Sequence, residues 1–403
     1  MRIAIIHRAL SKTGGVESYL DLILPALAEQ GHQLAFLAED EGGDEAGEIH
    51  LPAHAARWLV KQLGHRAALN LLRAWRPDLL FVNWSLEPGL EASLLRLAPA
   101  VFFAHAYWGA CISGYKRWAR AGFAPCQRRL GWSCLAHYYP FRCGGLNPLR
   151  MTRDFAMQRG RAQRLASYRI VLVASHYMRE EYIRQGLDPA QVRGIYLPVR
   201  DGGELAALDK DCAQGELRLL FAGRMTALKG GTMLLSALPQ VVQRLGRSLL
   251  LTMVGEGPER ARWQAQAKRV EAAQPRVRIH FAGWAGTSEL AQWFEHSHLL
   301  CVPSLWPEPF GLIGPEAGLH GLPAAAFAVG GIPEWLRDGV NGALAPAPGL
   351  NADNLAEAIA RCLRDPEHYV RLRAGARAQA QRFTLGRHLT ELVELFGEIA
   401  LNH

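Results

Sequence analysis

Eleven short apolar runs recur along this chain of 403 residues, each closing on a loop and most followed by an amphipathic stretch. RIAIIH comes first, then a glycine-containing loop, then VESYLDLILPALAEQG, which ends on Gly31. QLAFLAE, LLFVNW, VFFAH, RIVLVAS and RGIYLPV continue the series. After a polar segment, DGGELAALDKDCAQGE, it restarts with LRLLFAG, SLLLTMVG, VRIHFAG, HLLCVPS and PAAAFAVG. Near-continuous apolar runs suit strands covered on both faces, and strands alternating with helices give parallel sheets. The restart predicts two α/β domains, each a doubly wound Rossmann-like sheet, facing each other across a cleft at the carboxyl ends of their strands. The expected division is 1–200, a linker over 201–216, a second domain over 217–385, and a C-terminal helix over 386–403 that crosses back to the first domain. A chain this long supports two separate cores.

Charge is shared unevenly. Residues 1–200 carry 25 Lys and Arg against 16 Asp and Glu, whereas 201–403 carry 20 against 21. Between 101 and 153, Lys116, Arg117, Arg120, Arg128, Arg129, Arg142, Arg150 and Arg153 meet no acid, and Tyr107, Trp108, Tyr115, Trp118, Trp132, Tyr138, Tyr139 and Phe141 are interleaved with them. Cations meet phosphate while aromatic rings settle at headgroup depth, so this insert, about 106–153, is expected either to face an anionic membrane surface or a phosphorylated acceptor or to be a solvated basic loop with no partner. No nucleic-acid motif accompanies the basic residues, and nucleic acid is not an expected partner. The apolar stretch 97–115 is interrupted by Pro99, His105, Gly109 and Ser113, so it does not read as a membrane span. Only four apolar residues follow Met1-Arg2, too few for a signal peptide. The expected location is cytoplasmic, at the inner face of the membrane.

Three strand-end loops in the second half carry chemistry. GRMTALKGG sets Arg224 and Lys229 around a turn; a guanidinium fork and a mobile ammonium together neutralise a diphosphate, although each alone is an ordinary surface charge. VGEGPER offers Gly255 and Gly257, which let a ligand lie against backbone or simply make a tight turn. It lacks the third glycine of the dinucleotide fingerprint, which argues against a nicotinamide site. SLWPEPFGLIGPEAGLHGLP places Glu308 between Pro307 and Pro309, and Glu316 in the first turn of a helix begun near Pro315. Glu316 there either matches the helix dipole or accepts hydrogen bonds from two vicinal hydroxyls.

GRMTALKG, VGEGPE, FAGW, PSLWPEPFGLIGPEAGLHGLP and GGIPEWLRDGVNG, in that order over 217–345, resemble the signature series of retaining, two-glutamate glycosyltransferases of family 4, the group 1 glycosyl transferases, with the GT-B fold. The resemblance extends more weakly into the first half through RIAIIH, Gly14-Gly15-Val16-Glu17 and His105. It implies a donor that is a nucleoside-diphosphate sugar, UDP- or GDP-linked, and an acceptor that is a glycan or lipid-linked glycan. It further implies that Arg224 and Lys229 hold the diphosphate and Glu316 the ribose. By the same resemblance Glu308 approaches the sugar hydroxyls, Phe310, Gly311 and Leu312 lie beside sugar and phosphate, Gly15 nears the phosphate, and His105 touches the sugar. The rivals are a sugar-nucleotide-binding protein without catalysis and a GT-B epimerase or phosphorylase.

No cofactor or metal is expected to be required, since side-chain cations already supply positive charge. The DxD sequence Asp209-Lys210-Asp211 reads as solvated linker. Cys111, Cys126, Cys134 and Cys143, with His137, are spaced more widely than the Cys pairs of ordinary zinc sites, and separate thiols are the expectation.

Overall fold

The computed structural model describes residues 1–12, 14–42, 47–84, 86–120, 123–200, 212, 214–347 and 349–401. Asp209-Lys210-Asp211 and most of the linker lie outside the described residues. The chain forms two compact units: Met1–Lys116 with Gln127–Pro198 and Leu385–His403, and Arg117–Cys126 with Val199–Thr384.

The first unit is built on a seven-stranded sheet of β1 (Arg2–Ala9), β2 (Gln33–Asp40), β3 (Ala56–Leu59), β4 (Leu79–Val82), β5 (Ala100–Ala104), β6 (Ile170–Val173) and β7 (Val192–Gly194). Its spatial order is β3-β2-β1-β4-β5-β6-β7. All its strand pairs are parallel. Ile5 lies opposite Phe36 on one side and Phe81 on the other, and all three are buried. The helix Gly15–Glu29 buries Tyr19, Leu20, Ile23, Leu24 and Leu27, the spacing of one helical face. The C-terminal helix Leu385–Leu401 buries His388, Leu389, Leu392, Leu395, Phe396 and Ile399. It packs on the first helix and on β4, with Phe396 5.1 Å from Phe81 between ring centroids.

The second unit holds a six-stranded sheet of β8 (Leu217–Ala222), β9 (Leu249–Val254), β10 (Val277–Gly283), β11 (Leu299–Val302), β12 (Ala324–Phe327) and β13 (Gly342–Ala345), ordered β10-β9-β8-β11-β12-β13. It too is parallel throughout. In both sheets the winding reverses beside the first strand of the unit, between β1 and β4 and between β8 and β11. Loops diverge at such a point, which leaves room beyond the strand ends for a ligand.

Three sequence expectations are corrected. The strand expected from RGIYLPV is only Val192–Gly194, because Pro198 lacks a ladder donor and the chain leaves the edge early. β3 and β13 are additional four-residue edge strands, too short to stand out as apolar runs. Within the basic insert, Lys116 is not a surface cation: it is 1% exposed and its ammonium lies 2.6 Å from Glu181, itself buried. Among the described residues, no helix is long and apolar enough to cross a membrane.

Candidate active site

In the second unit the loop after β8 carries Arg224, which is exposed, and a single turn of 3-10 helix, Ala227–Lys229. Gly230 follows at φ +71°, and a Cβ there would sit 1.8 Å from the carbonyl oxygen of Pro303. Only glycine permits this approach, which presses the turn onto the loop after β11. Lys229 Nζ is thereby brought 2.7 Å from Glu308 Oε1. Ser304 Oγ at 2.5 Å and Trp306 Nε1 at 3.0 Å donate to the same oxygen. Glu308 is buried, and a buried carboxylate needs this density of donors. Its backbone is held as well: Gly331 N–H donates to Glu308 O at 2.7 Å, and Gly330, at φ +57°, leaves no space for a side chain against the Glu308 backbone.

Beyond Glu308 the chain is clamped by Trp335. Its indole N–H donates to the Phe310 carbonyl at 2.8 Å, and its ring lies where a Cβ on Gly314 would come within 2.3 Å. The Phe310 ring packs on Phe383, and Gly311 takes φ +93°. The short helix Ile313–Leu319 then carries Glu316 in its first turn. Burial raises the pKa of Glu316 above the ordinary carboxylate range, and the charge of Arg200 partly opposes this. The helix Gly231–Leu245 begins on Gly230 with no capping side chain and no acid in its first turn. Its N-terminal amides and Lys229 thus stand at one place, a favourable setting for an anion.

Gly255 and Gly257 have a packing reason of their own. Their φ values are +128° and +154°, and a Cβ would fall 2.1 Å from Gly223 O and 2.4 Å from Met225 O. They let the loops after β8 and β9 lie against each other.

In the first unit a buried polar group gathers at the ends of β1, β4 and β5. His105 follows β5 and its Nε2 lies 2.9 Å from Asn83 Oδ1. Asn83 donates its amide to Phe81 O, so Oδ1 is the acceptor and His105 carries its proton on Nε2. Burial, then the neighbouring His7 and His388, push the His105 pKa down to about 3, so the ring is neutral with Nδ1 as an acceptor. Tyr19 packs 5.2 Å from His105 and its hydroxyl lies 2.9 Å from His388 Nε2. His388 Nδ1 faces Tyr196 O at 2.8 Å, and burial lowers the His388 pKa to about 4. His7 Nε2 pairs with Glu17 Oε1 at 3.1 Å, while the buried His7 Nδ1 has no hydrogen-bond partner among the described residues. Gly15 opens the first helix, and a Cβ there would meet nothing within 4 Å.

The structure therefore sets Arg224, Lys229, Glu308, Phe310, Gly311 and Leu312 on strand-end loops of one unit and Glu316 on the short helix that follows them, and sets Gly15 and His105 in the other unit. Sequence reading missed Ser304, Trp306 and Trp335 beside Glu308, and His7, Asn83, Tyr19 and His388 around His105. Ser304 and Trp306 stood within the motif that drew notice to Glu308. His388 carried no local signal, since its partners lie 369 and 192 positions away. Cys111, Cys126, Cys134 and Cys143 are each half-buried, and no cluster of three or more metal-ligating side chains occurs among the described residues.

Residues 209–379 match the family described as glycosyl transferases group 1, and residues 13–201 match glycosyltransferase family 4. A curated relative, the D-inositol 3-phosphate glycosyltransferase of Streptomyces bingchenggensis, is 31% identical over 234 residues, which are 54% of this chain and 50% of that protein. The chain thus spans about half the length of the curated relatives it matches. Among solved structures, sucrose-phosphate synthase from Thermosynechococcus elongatus superposes with a TM-score of 0.73 at 21% identity, covering 100% of both chains. Anabaena HepE in complex with UDP and glucose gives 0.66 at 18% identity, covering 99% of this chain and 100% of that one. Two parallel Rossmann-like sheets with these neighbours make the fold GT-B, and the chain belongs to the group 1 glycosyltransferases.

Proposed function

We propose that this chain transfers a sugar from a nucleoside-diphosphate sugar, UDP- or GDP-linked, to a hydroxyl of a glycan or lipid-linked glycan, with retention of anomeric configuration. The observation that carries this reading is the meeting of Lys229, Ser304 and Trp306 on one oxygen of Glu308, with Arg224 on the loop after β8 and Glu316 on the helix after the Glu308 loop. Arg224 and Lys229, with the amides at the start of the helix Gly231–Leu245, bind the diphosphate. Glu316 accepts hydrogen bonds from the ribose hydroxyls, and Glu308 uses Oε2 for a hydroxyl of the donor sugar. Phe310, Gly311 and Leu312 present backbone beside the sugar. Gly15 and His105 are assigned to phosphate and sugar by the resemblance alone. The UDP and glucose of the HepE complex support a donor of this class.

In the reaction the bond from the anomeric carbon to phosphate oxygen breaks, and its electron pair leaves with the diphosphate. Arg224, Lys229 and the helix amides stabilise that charge more strongly than they stabilise the intact donor, which is the requirement for catalysis. The acceptor hydroxyl forms the new bond on the same face and passes its proton to the departing phosphate. Glu308 is a poor covalent nucleophile, because three donors already draw on the charge of its carboxylate. Incubation with a panel of UDP-, GDP- and ADP-sugars and candidate glycan acceptors tests the reading through released nucleoside diphosphate and the anomeric coupling constant of the product. A product with the donor's configuration, formed equally in EDTA, is expected. An inverted product overturns retention, and phosphorolysis or isomerisation of the donor without acceptor overturns transfer.

A further inference from the structure

We propose that the face formed by Trp132 and the helix Pro148–Leu165 docks the protein on an anionic lipid bilayer. This goes beyond the transfer reaction and does not depend on it.

Two observations carry the inference. The first is apolar exposure: Trp132 is 68% exposed, and Leu146 and Leu149 are each 79% exposed, on either side of the Asn147 cap where the helix begins. Large apolar side chains so open to water are an expense a soluble surface does not need, and grouped together they mark a contact site. They are also rigidly mounted. Trp132 packs on Phe155 of the helix at 5.2 Å, and Phe155 belongs to a small core with Ile112, Tyr138 and Met151. The inner face of the helix is committed to that core through Met151, Phe155, Gln158 and Leu165, which leaves Leu149, Arg150, Arg153 and Met157 turned outward.

The second observation is the sign of the charge. Five arginines of this region, Arg129, Arg142, Arg150, Arg153 and Arg159, are exposed. From residue 92 to 165 the sole acid is Asp154, which lies 3.6 Å from both Arg150 and Arg153. Arg159 places its guanidinium 4.8 Å from the centre of the Trp132 ring, so an apolar ring and a cation are offered as one unit. A protein partner would be met by mixed charge around an apolar centre, whereas an anionic bilayer takes cations at its phosphates and leucine and indole just beneath them. The structure also shows which cations take no part: Lys116 is neutralised inside the fold by Glu181, so the lipid-facing charge lies beyond it, between residues 129 and 159.

The test is sedimentation of the purified full chain with vesicles of phosphatidylcholine alone and of phosphatidylcholine and phosphatidylglycerol in equal parts. Each arginine held near such a surface raises the partition constant about fivefold. Wild type should sediment with the anionic vesicles and not with the neutral ones. Arg150→Glu/Arg153→Glu should lower partitioning by at least about 25-fold, and Leu146→Ser/Leu149→Ser should lower it with all charges intact. Both variants alter exposed residues only, and unchanged melting with an unchanged UDP-induced thermal shift shows them folded. Absence of binding by wild type, equal binding to neutral vesicles, or binding unaltered in either variant overturns the proposal. So does concentration-dependent dimerisation that the leucine variant abolishes in a protein that ignores vesicles, since the face would then be a self-association surface.

Discussion

The Lys229 ammonium lies 2.7 Å from Glu308 Oε1, an oxygen that the Ser304 hydroxyl and the Trp306 indole also contact. The cation assigned to the diphosphate is thus engaged by the carboxylate assigned to the sugar. A diphosphate competes for Lys229, and Ser304 and Trp306 keep Glu308 in place when the lysine turns toward phosphate. Lys229→Ala should therefore weaken UDP binding by about 10- to 100-fold, the loss of one charge-assisted contact, and should also lower the melting temperature, because buried Glu308 loses its cation. Glu308→Gln should leave UDP affinity within about threefold and lower kcat by about 100-fold or more, because its contact is with the sugar. Calorimetric titration of both variants, with initial rates, checks the division of labour. A Glu308→Gln protein that loses UDP instead would place Glu308 at the nucleotide.

Glycine positions separate packing from ligand approach. Gly230→Ala must place a Cβ against Pro303 O at a positive φ, and should destabilise the protein by about 2 kcal/mol or more. Gly15→Ala meets open space at the start of a helix, where alanine is the better helix former by about 0.5–1 kcal/mol. Its melting temperature should not fall, yet transfer should drop at least about tenfold if a phosphate comes close to that backbone. Full activity in Gly15→Ala would remove this residue from the site.

Burial raises the Glu316 pKa above its ordinary 4.5. Hydrogen bonds from two ribose hydroxyls favour the ionised form, so nucleotide binding should release a proton when the pH lies near that raised value. UDP affinity is then expected to rise with pH through the ionisation of free Glu316 and to level off above it. Glu316→Gln should bind more weakly and lose that pH dependence, which titration calorimetry in buffers of differing ionisation enthalpy reads directly.

His105 and His388 are held neutral, with pKa values near 3 and 4 against 6.5 for the free side chain. A base whose folded pKa is depressed adds stability above its unfolded pKa, and that stability is lost as the pH falls toward the folded value. Between about pH 6 and 4 each histidine should cost roughly 1.4 kcal/mol per pH unit. His388→Gln should show a shallower acid slope in denaturant melts, though a lower stability at neutral pH from the broken bonds to Tyr19 and Tyr196. An acid slope identical to wild type would mean that His388 is not buried in its neutral form.

The alternation of apolar runs made both sheets legible, because strands such as β1 and β8 are covered on both faces and must be apolar nearly throughout. β3 and β13 escaped notice because an edge strand of four residues needs no such run. At the site, Glu308, Arg224 and Lys229 could be picked out because each sits in or beside a loop rich in glycine or proline, and Glu316 because it follows Pro315 in the first turn of a helix. What could not be read was contact at long range. Nothing local in LGRHLTEL shows that His388 accepts the Tyr19 hydroxyl, and nothing around Lys116 shows that it points inward to Glu181. Such pairings are properties of the packed fold, where a buried charge is tolerated only beside its partner.

The central claim, that the second unit binds a nucleoside diphosphate through Arg224 and Lys229, is tested most directly by thermal shift with UDP, GDP and ADP on wild type and Arg224→Ala. A ligand at a hundred times its dissociation constant should add about 2.7 kcal/mol to wild-type stability. One of the three nucleotides is expected to raise the melting temperature of wild type, in the presence of EDTA as in its absence, and to lose most of that effect in Arg224→Ala. No shift with any nucleotide, or a shift of equal size in the variant, would contradict the account.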